Sequence, residues 1–217
     1  MSFLTNKCLL SPYTEDVRNA CLPFSCGSKD MDEFFHKDFA DYAHYLMGKS
    51  YCFRQKENLN QIVCAFTISN DSIRIYDLPR SRRDYMQAIT HHEKHLRRYP
   101  GVLIGRLAVA EEFARLGIGS EVLTFIKDLF SDPAIQTGCR FVIVDAVNSP
   151  EILSFYRKNG FVFLFSTEEQ ETLYTFPPKD KEEIQAMKNN LRPLQTRLMY
   201  FDLLDLKDNI PSPPEVL

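Results

Sequence analysis

The spacing of apolar residues changes most clearly in the middle of the chain, between Gly101 and Phe130. A β-prone apolar run over 102–110 predicts a strand, and a polar link then leads to a turn that contains Gly117 and Gly119. After this turn, apolar residues recur at the spacing of a helix. They are Val122, Leu123, Ile126, Leu129 and Phe130. Because backbone N–H groups in the first turn of a helix lack acceptors, we expect an anion to bind at this turn.

The same patterns predict strands and helices along the rest of the chain. The other predicted strands are 1–10, 50–55, 61–69, 72–76, 140–147, 161–165 and 198–206. The other predicted helices are 29–47, 84–98, 179–189 and one that starts at Pro150, after a Ser149 cap, and ends at Asn159-Gly160. Hairpin strands come first, and strands alternating with helices follow. This order predicts an α/β fold in which helices flank a mixed central sheet of six to seven strands.

We expect one domain over 1–206, with inserts at 71–100 and 166–195 and a loosely held tail at 207–217. The composition, 44% hydrophobic and 25% charged, is typical of a soluble globular protein. No apolar run approaches the ~20 residues of a membrane span, and no signal peptide is apparent. The sequence therefore predicts a cytoplasmic protein.

The cysteines and histidines do not predict a metal site. The six cysteines have no metal-ligand spacing and are expected to be reduced thiols. His91 and His95 have the i, i+4 spacing of a metal pair, with His92 between them, but no further ligand accompanies them. A solvated helix face is the preferred interpretation.

The glycine turn does not fit the common nucleotide-binding motifs. Val122 stands where a dinucleotide fingerprint needs a third glycine, and no Gly-Lys-Ser/Thr follows for a P-loop. What remains is a shorter Gly-x-Gly turn between a strand and a helix. As pure structure it would be a loop-to-helix junction, and its position after a central strand favours anion binding.

Two segments together give the chain a family resemblance. The first is the strand Gly105-Arg106-Leu107-Ala108-Val109 followed by the Gly117-x-Gly119 turn and a helix. The second runs from Asn148 through a helix that ends in Phe155-Tyr156-x-x-x-Gly160-Phe161. These segments resemble the GCN5-related N-acetyltransferase (GNAT) superfamily. Phe24–Gly27 and the acidic, aromatic helix after it are similar, less specifically, to toxin-type members that modify aminoacyl-tRNA.

The resemblance implies an acetyl-CoA site on both segments. Leu107, Ala108 and Val109 would pair with the pantetheine arm, and a backbone N–H near Leu107 would polarise the acetyl carbonyl. The pyrophosphate would bind to backbone N–H groups at the glycine turn, with Arg115 adding charge. These groups belong to Leu116, Gly117, Ile118, Gly119 and Ser120. Asn148 would face the cofactor arm, and Tyr156 would protonate the departing thiolate, although it could simply pack the helix on the sheet.

One position departs from the family pattern, and the general base is not evident. The residue three before Gly117 is Ala114, where the family has Arg or Gln, so we expect weakened rather than abolished cofactor binding. Glu111 and Glu112 follow the cofactor strand and are the candidate bases, although loop carboxylates are more often solvated surface.

The resemblance implies direct acetyl transfer from acetyl-CoA to an amine, without a metal. Two alternatives stay open: a toxin-type acetyltransferase of aminoacyl-tRNA and a CoA-binding regulatory module without turnover. The basic stretch at 74–98 favours RNA, but the net charge of −3 does not, so a small-molecule or peptide amine is preferred over tRNA. No membrane partner is expected, and the sequence leaves a homodimer open.

Overall fold

The computed structural model describes residues 2–88 and 96–206. Its strands form one seven-stranded mixed sheet in the order β1-β2-β3-β4-β5-β7-β6. The strands are β1 Cys8–Pro12, β2 Lys49–Gln55, β3 Ile62–Arg74, β4 Arg98–Val109, β5 Phe141–Val147, β6 Val162–Phe163 and β7 Thr196–Asp202. Helices flank this sheet, so the predicted α/β class and its six to seven strands are confirmed.

The helices vary from one turn to four turns in length. They are α1 Phe3–Lys7, α2 Glu15–Ala20, α3 Lys29–Glu33, α4 Phe39–His44, α5 Arg80–Ala88, α6 Ile118–Ser131, α7 Pro150–Lys158, α8 Glu168–Thr175 and α9 Lys181–Asn189. A π-helical segment, Phe34–Asp38, joins α3 to α4. Short 3-10 turns lie at Ile75–Asp77, Glu111–Phe113 and Leu203–Leu206. No helix of the described ranges is long and apolar enough to cross a membrane.

The internal contacts divide the chain into two compact units. The first unit consists of Met1–Asn70 and Val102–Gln136, and the second of Asp71–Gly101 and Thr137–Leu217. Strands β3 and β4 each contribute residues to both units. The single domain over 1–206 stays a prediction.

In the first unit, β1, β2 and β3 form an antiparallel hairpin series with apolar layers on both faces. One layer is the aromatic cluster, which we define as Tyr13, Phe34, Phe35, Phe39 and Tyr42. The Tyr13 hydroxyl donates to the carbonyl of Phe35 at 2.8 Å, so its polar end is satisfied in the core. The other layer is α6, where the ring of Phe125 meets those of Phe53 and Phe66. The predicted hairpin of 50–55 with 61–69 is confirmed.

The strand predicted for 1–10 is wrong in its first half, where α1 forms instead. Ser2 caps α1 by accepting from the N–H of Thr5. The carboxylate of Glu121 then accepts from the N–H groups of Phe3 and Leu4 at 2.9 and 2.8 Å. Because Glu121 is more than a hundred residues away along the chain, local sequence patterns do not reveal this helix. The loop expected after Pro12 contains α2, which Thr14 caps.

The helix predicted at 29–47 ends earlier, at His44, and Gly48 does not terminate it. Leu46 is the left-handed residue after the helix, with φ of 57°. At Gly48 a Cβ atom would lie 2.4 Å from the ring of Tyr42 and 2.9 Å from the carbonyl of Ile68. Gly48 is therefore required by close packing rather than by the end of a helix.

In the second unit, β7 lies between β5 and β6 and is antiparallel to both. Glu171 of α8 and Arg197 of β7 form a buried ion pair, with Oε2 and Nε 2.7 Å apart. The Leu198 N–H also donates to Glu171, and Arg197 donates to the carbonyl of Phe165 at 3.2 Å. Burial nevertheless raises the pKa of Glu171, against the opposing effect of Arg197. This pair fixes α8 on the strand that it covers.

Several predicted elements of the second unit differ from the observed ones. The strand expected at 72–76 is the end of β3, and the one expected at 161–165 is reduced to the two residues of β6. The last strand begins at Thr196 and gives way to a 3-10 turn at Leu203. Helix α8 is missing from the prediction, because its apolar residues show little helical spacing. Of the helix predicted at 84–98, residues 89–95 lie outside the described ranges, as does the tail expected at 207–217.

The helices predicted at Pro150 and 179–189 are largely confirmed, as are the Ser149 cap and the end of the first of these helices at Gly160. The Ser149 hydroxyl accepts from the N–H of Ile152, Pro150 takes the first helical position, and Gly160 adopts φ of 81°. Asp180 caps α9 by accepting from the N–H of Glu183 at 2.8 Å. Each of these helix ends depends on residues within four positions of one another. Local sequence patterns can therefore indicate them.

We predict that Arg197→Met lowers the free energy of unfolding by about 3–5 kcal/mol, because it leaves the carboxylate of Glu171 buried without its cation. The double variant Glu171→Met/Arg197→Met should regain most of this loss, since no unpaired charge remains. Urea unfolding measures both values. Lys188→Met is the control: it removes an exposed pair with Glu169 and should cost less than about 1 kcal/mol. A loss in Arg197→Met no larger than in the control would contradict the prediction.

Candidate active site

The strand, glycine turn and helix that the sequence singles out are all present in the first unit. Strand β4 ends at Val109, the 3-10 turn follows, and the chain enters α6 at Ile118. Two residues of the link have left-handed backbones: Arg115 with φ of 61° and Gly117 with φ of 81°. A non-glycine residue in this conformation is strained by roughly 1–2 kcal/mol. The strain at Arg115 identifies this link as a candidate functional site.

The N-terminus of α6 has the geometry of an anion site. Gly117 is its N-cap and has no side chain that could occupy the first N–H groups. A Cβ atom at Gly117 would meet nothing within 4 Å, so the space in front of the turn is open. Glu121 N–H, one turn later, donates to the carbonyl of Gly117 at 3.1 Å, which fixes the turn. The N–H groups of Ile118, Gly119 and Ser120 therefore remain for a ligand, as the helix dipole favours.

Glu121 places a carboxylate in this first turn, but its charge is directed to α1. It accepts from the Ser2 hydroxyl at 2.7 Å as well as from the N–H groups of Phe3 and Leu4. Burial alone would raise the pKa of Glu121, but these three donors together hold it below its usual value. The Glu121 carboxylate thus lies near the N-termini of both α1 and α6. Its hydrogen bonds are with residues 2–4, so the N–H groups of Ile118, Gly119 and Ser120 stay available for an anion.

Two neighbouring residues of strand β4 approach the aromatic cluster directly before the predicted cofactor residues. A Cβ atom at Gly105 would lie 3.0 Å from Thr67 Oγ1 and 3.8 Å from the Tyr42 hydroxyl. The guanidinium of the next residue, Arg106, lies 4.9 Å from the ring centre of Phe34. The aromatic cluster therefore lies beside β4 just before Leu107.

Among the described residues, only some of the hydrogen-bond donors of the Arg106 side chain have an acceptor. It donates from Nη1 to the carbonyl of Gly105 at 3.2 Å, and its plane stacks on Phe34. Its Nε is buried without a hydrogen-bond partner. Leu107 and Val109 are half-buried, Ala108 is buried in the aromatic cluster, and the N–H of Ala110 donates to Val63 at 2.9 Å.

The two candidate bases are at the surface and have partners in the first unit. Glu111 N–H donates to the carbonyl of Ser25, and the Glu111 carboxylate lies 2.6 Å from the position of a Cβ atom on Gly27. Glu112 accepts from Gln61 Nε2 at 3.3 Å. The carboxylates thus lie against the 24–27 loop and Gln61, the residue before β3, and neither role as base gains support.

Asp32 fixes the loop that Glu111 contacts, and the sequence did not predict its role. Its two oxygens accept from the Cys26 N–H and the Ser25 hydroxyl, each at 2.8 Å. Although burial opposes it, these donors lower the pKa of Asp32. The only signal for this contact in the sequence is the position of Asp32. It is an acidic residue in the first turn of a helix that begins shortly after Gly27.

In the second unit, Tyr156 lies on α7 between two aromatic rings. The ring centres of Phe155 and Phe161 are 5.1 and 5.4 Å from that of Tyr156. Burial raises the pKa of Tyr156 to about 12, so the hydroxyl is protonated at neutral pH. Its hydroxyl has no hydrogen-bond partner among the described residues. A half-buried phenol whose hydroxyl has no partner within the described ranges is suited to protonate a leaving group.

Asn148 lies just before α7, and its side chain is engaged within the second unit. Its amide NH₂ donates to Glu168 Oε1 at 3.1 Å and to the carbonyl of Leu194 at 2.8 Å. Glu168 also accepts from the Leu194 N–H at 2.7 Å, and this bond, the largest contribution, lowers the pKa of Glu168. Only the amide oxygen of Asn148 therefore remains for a cofactor arm.

The described residues bring the predicted site residues together in two groups. The first unit holds 107–109, 111–112 and 115–120, and the second holds Asn148 and Tyr156. Ala114 lies exposed at the end of the 3-10 turn. His91, His92 and His95 lie outside the described ranges, and within those ranges no three metal-binding side chains cluster.

Comparison with known proteins supports the family resemblance. Residues 84–163 match the acetyltransferase (GNAT) domain family. A solved structure described as AtaT complexed with acetyl-methionyl-tRNAfMet is 13% identical, with a TM-score of 0.63 over 92% of this chain and 97% of that chain. A mutant of KacT is 13% identical, with a TM-score of 0.65 over 93% and 98%. AtaTR bound with AcCoA is 14% identical, with a TM-score of 0.61 over 93% and 97%.

No curated protein matches the chain. At these identities the solved structures establish the fold, and the family match covers the strand, glycine turn and helix described above. Residues 84–163 are thus similar to a GNAT acetyltransferase domain, and the chain as a whole has the fold of these solved structures.

Proposed function

We propose that the protein transfers the acetyl group of acetyl-CoA to the amino group of an aminoacyl-tRNA. The observation that carries the transferase part is the open, side-chain-free N-terminus of α6 that follows strand β4. The acceptor is supported by the likeness to AtaT complexed with acetyl-methionyl-tRNAfMet, which extends over nearly the whole of both chains. This acceptor replaces the small-molecule or peptide amine that the net charge favoured.

On the donor side, the first N–H groups of α6 bind the pyrophosphate of acetyl-CoA, and Arg115 adds a charge beside it. Leu107, Ala108 and Val109 present their backbone to the pantetheine arm. The backbone bond from Ala110 N–H to Val63 fixes the end of this segment. With Ala114 in place of Arg or Gln, binding depends mainly on backbone donors.

In the transfer step, the neutral amine attacks the thioester carbonyl, so that a C–N bond forms and the C–S bond breaks. A backbone N–H near Leu107 stabilises the oxyanion. The CoA thiolate leaves and takes the proton of the Tyr156 hydroxyl. The proton that the amine loses returns to the phenolate through solvent, which restores the enzyme.

On the acceptor side, exposed arginines of the second unit suit a phosphate backbone. Arg80, Arg97 and Arg98 are exposed, and Arg80 is engaged only in a surface pair with Asp84 at 3.5 Å. Surface pairs of this kind are weak and exchange readily for other anions. A local basic surface of this kind binds RNA even when the net charge of the whole chain is −3.

We predict that Gly119→Glu abolishes binding of acetyl-CoA, because a carboxylate would project into the space that the pyrophosphate occupies. Isothermal titration measures the affinity. Gly138→Glu is the matched control: no atom lies within 4 Å of a Cβ atom there, and the affinity should stay within about twofold of the wild type. Equal affinities of the two variants would refute the assigned pyrophosphate site.

We predict that Tyr156→Phe lowers kcat by about 10²–10⁴-fold and leaves the acetyl-CoA affinity nearly unchanged, because only the proton donor is lost. The release of free CoA thiol measures turnover. Tyr76→Phe removes a hydroxyl from an exposed ring and should retain normal turnover. If both variants turn over normally, Tyr156 only packs α7 on the sheet.

The acceptor is tested by incubating the wild type with radiolabelled acetyl-CoA and aminoacyl-tRNA. We expect label in the tRNA fraction when the tRNA is aminoacylated and none when it is deacylated, because only the former carries the amino group. Expression should also arrest growth, and Tyr156→Phe should relieve the arrest. Label transfer to simple amines but not to aminoacyl-tRNA would overturn this acceptor. Acetyl-CoA binding with no transfer at all would favour a regulatory module.

A further inference from the structure

A cavity of about 900 Å³ in the second unit lies between α8, α9 and the strands β5 and β7. This is the size of a small-molecule site. Its walls are mainly apolar, with Phe176, Met187, Leu194 and Leu198 among the lining residues. Phe176 is exposed and so accessible to a ligand.

Asp145 lines both this cavity and a smaller one of about 390 Å³, and it is the one carboxylate residue of the described ranges that the two linings share. Asp145 lies on β5 opposite Leu198 of β7. The side chain of Asp145 is exposed to solvent where it lines the two cavities. Nearby protein still withdraws it from part of the solvent, and this partial burial raises the pKa of Asp145, as does the negative charge of Asp71.

Asp145 has no hydrogen-bond or ion-pair partner among the described residues, although cations lie nearby. The two arginines of the smaller cavity are engaged elsewhere. Arg74 donates to the carbonyl of Tyr174 at 2.8 Å and pairs with Asp77 at 3.3 Å. Arg98 donates to the Ser72 hydroxyl at 3.4 Å. An exposed carboxylate without a protein partner is free to receive a cationic ligand at the cavity wall.

The other carboxylates that line the large cavity already have partners. Glu171 is paired with Arg197, so that its charge is compensated inside the protein. Glu183 accepts from the N–H of Lys179 at 2.7 Å and belongs to the cap of α9. Asp145 is thus the one carboxylate of this lining, within the described ranges, that still lacks a donor.

We propose that this cavity binds the acceptor, with Asp145 receiving its ammonium group and the apolar walls receiving its side chain. The ligand class is a primary amine attached to an apolar body, such as the aminoacyl group of an apolar amino acid. The inference rests on the proposed function for the identity of the acceptor. It assigns to the acceptor a site composed of residues of the 166–195 insert and β5.

The test uses L-leucinamide, whose ammonium is largely protonated at pH 7, and N-acetyl-L-leucinamide, which has the same apolar body without the charge. Titrations followed by two-dimensional NMR should show tighter binding of leucinamide, with shifts at Asp145 and Leu198. Asp145→Asn should weaken leucinamide binding by about tenfold or more, since a charged hydrogen bond is lost. The affinity for the neutral amide should stay the same, which also shows that the variant is folded.

Glu182→Gln is the matched control, because it removes one negative charge from the exposed face of α9 outside the cavity lining. Its leucinamide affinity should equal that of the wild type. Equal binding of leucinamide to the wild type and Asp145→Asn would overturn the inference, and so would equal binding of both amides to the wild type. These outcomes do not depend on acetyl transfer. If leucinamide binds as expected but aminoacyl-tRNA is not acetylated, the proposed function fails alone.

Discussion

The first turn of α6 imposes the constraint on which the candidate site depends. A helix N-terminus leaves N–H groups without acceptors, and here no side chain occupies them, because Gly117 is the cap. The left-handed backbones of Arg115 and Gly117 turn the chain sharply enough to expose these donors directly after β4. An anion bound here would be held by backbone atoms, so the proposed site does not require an Arg or Gln at the position of Ala114.

In the second unit, two carboxylates of α8 hold the 166–195 insert in place. Glu171 compensates Arg197 and receives the Leu198 N–H, while Glu168 binds Asn148 and Leu194. The 166–195 insert is thereby attached to β7 and to the start of α7 at the same time. Asn148 thus supports the insert, and a change there would alter both the insert and the helix that carries Tyr156.

The sequence predicts those parts of the fold that depend on local contacts. The Ser149-Pro150 helix start, the β2–β3 hairpin and α6 follow from residues close together in the chain. Helix α1 does not, since its N–H groups bind Glu121 across 117 and 118 positions. The glycine turn and Tyr156 were identified as motifs, whereas Asp145 was missed, because an acidic residue within an apolar strand is ambiguous until its neighbours in space are known.

The contact of Glu121 with residues 2–4 has a consequence for the electrostatics of α6. Ser2, Phe3 and Leu4 donate three hydrogen bonds to a carboxylate that lies in the first turn of this helix. Removing these residues would leave that negative charge without its donors, close to the free N–H groups of the same turn. The capacity of the α6 N-terminus for an anion thus depends on a segment more than a hundred residues away along the chain.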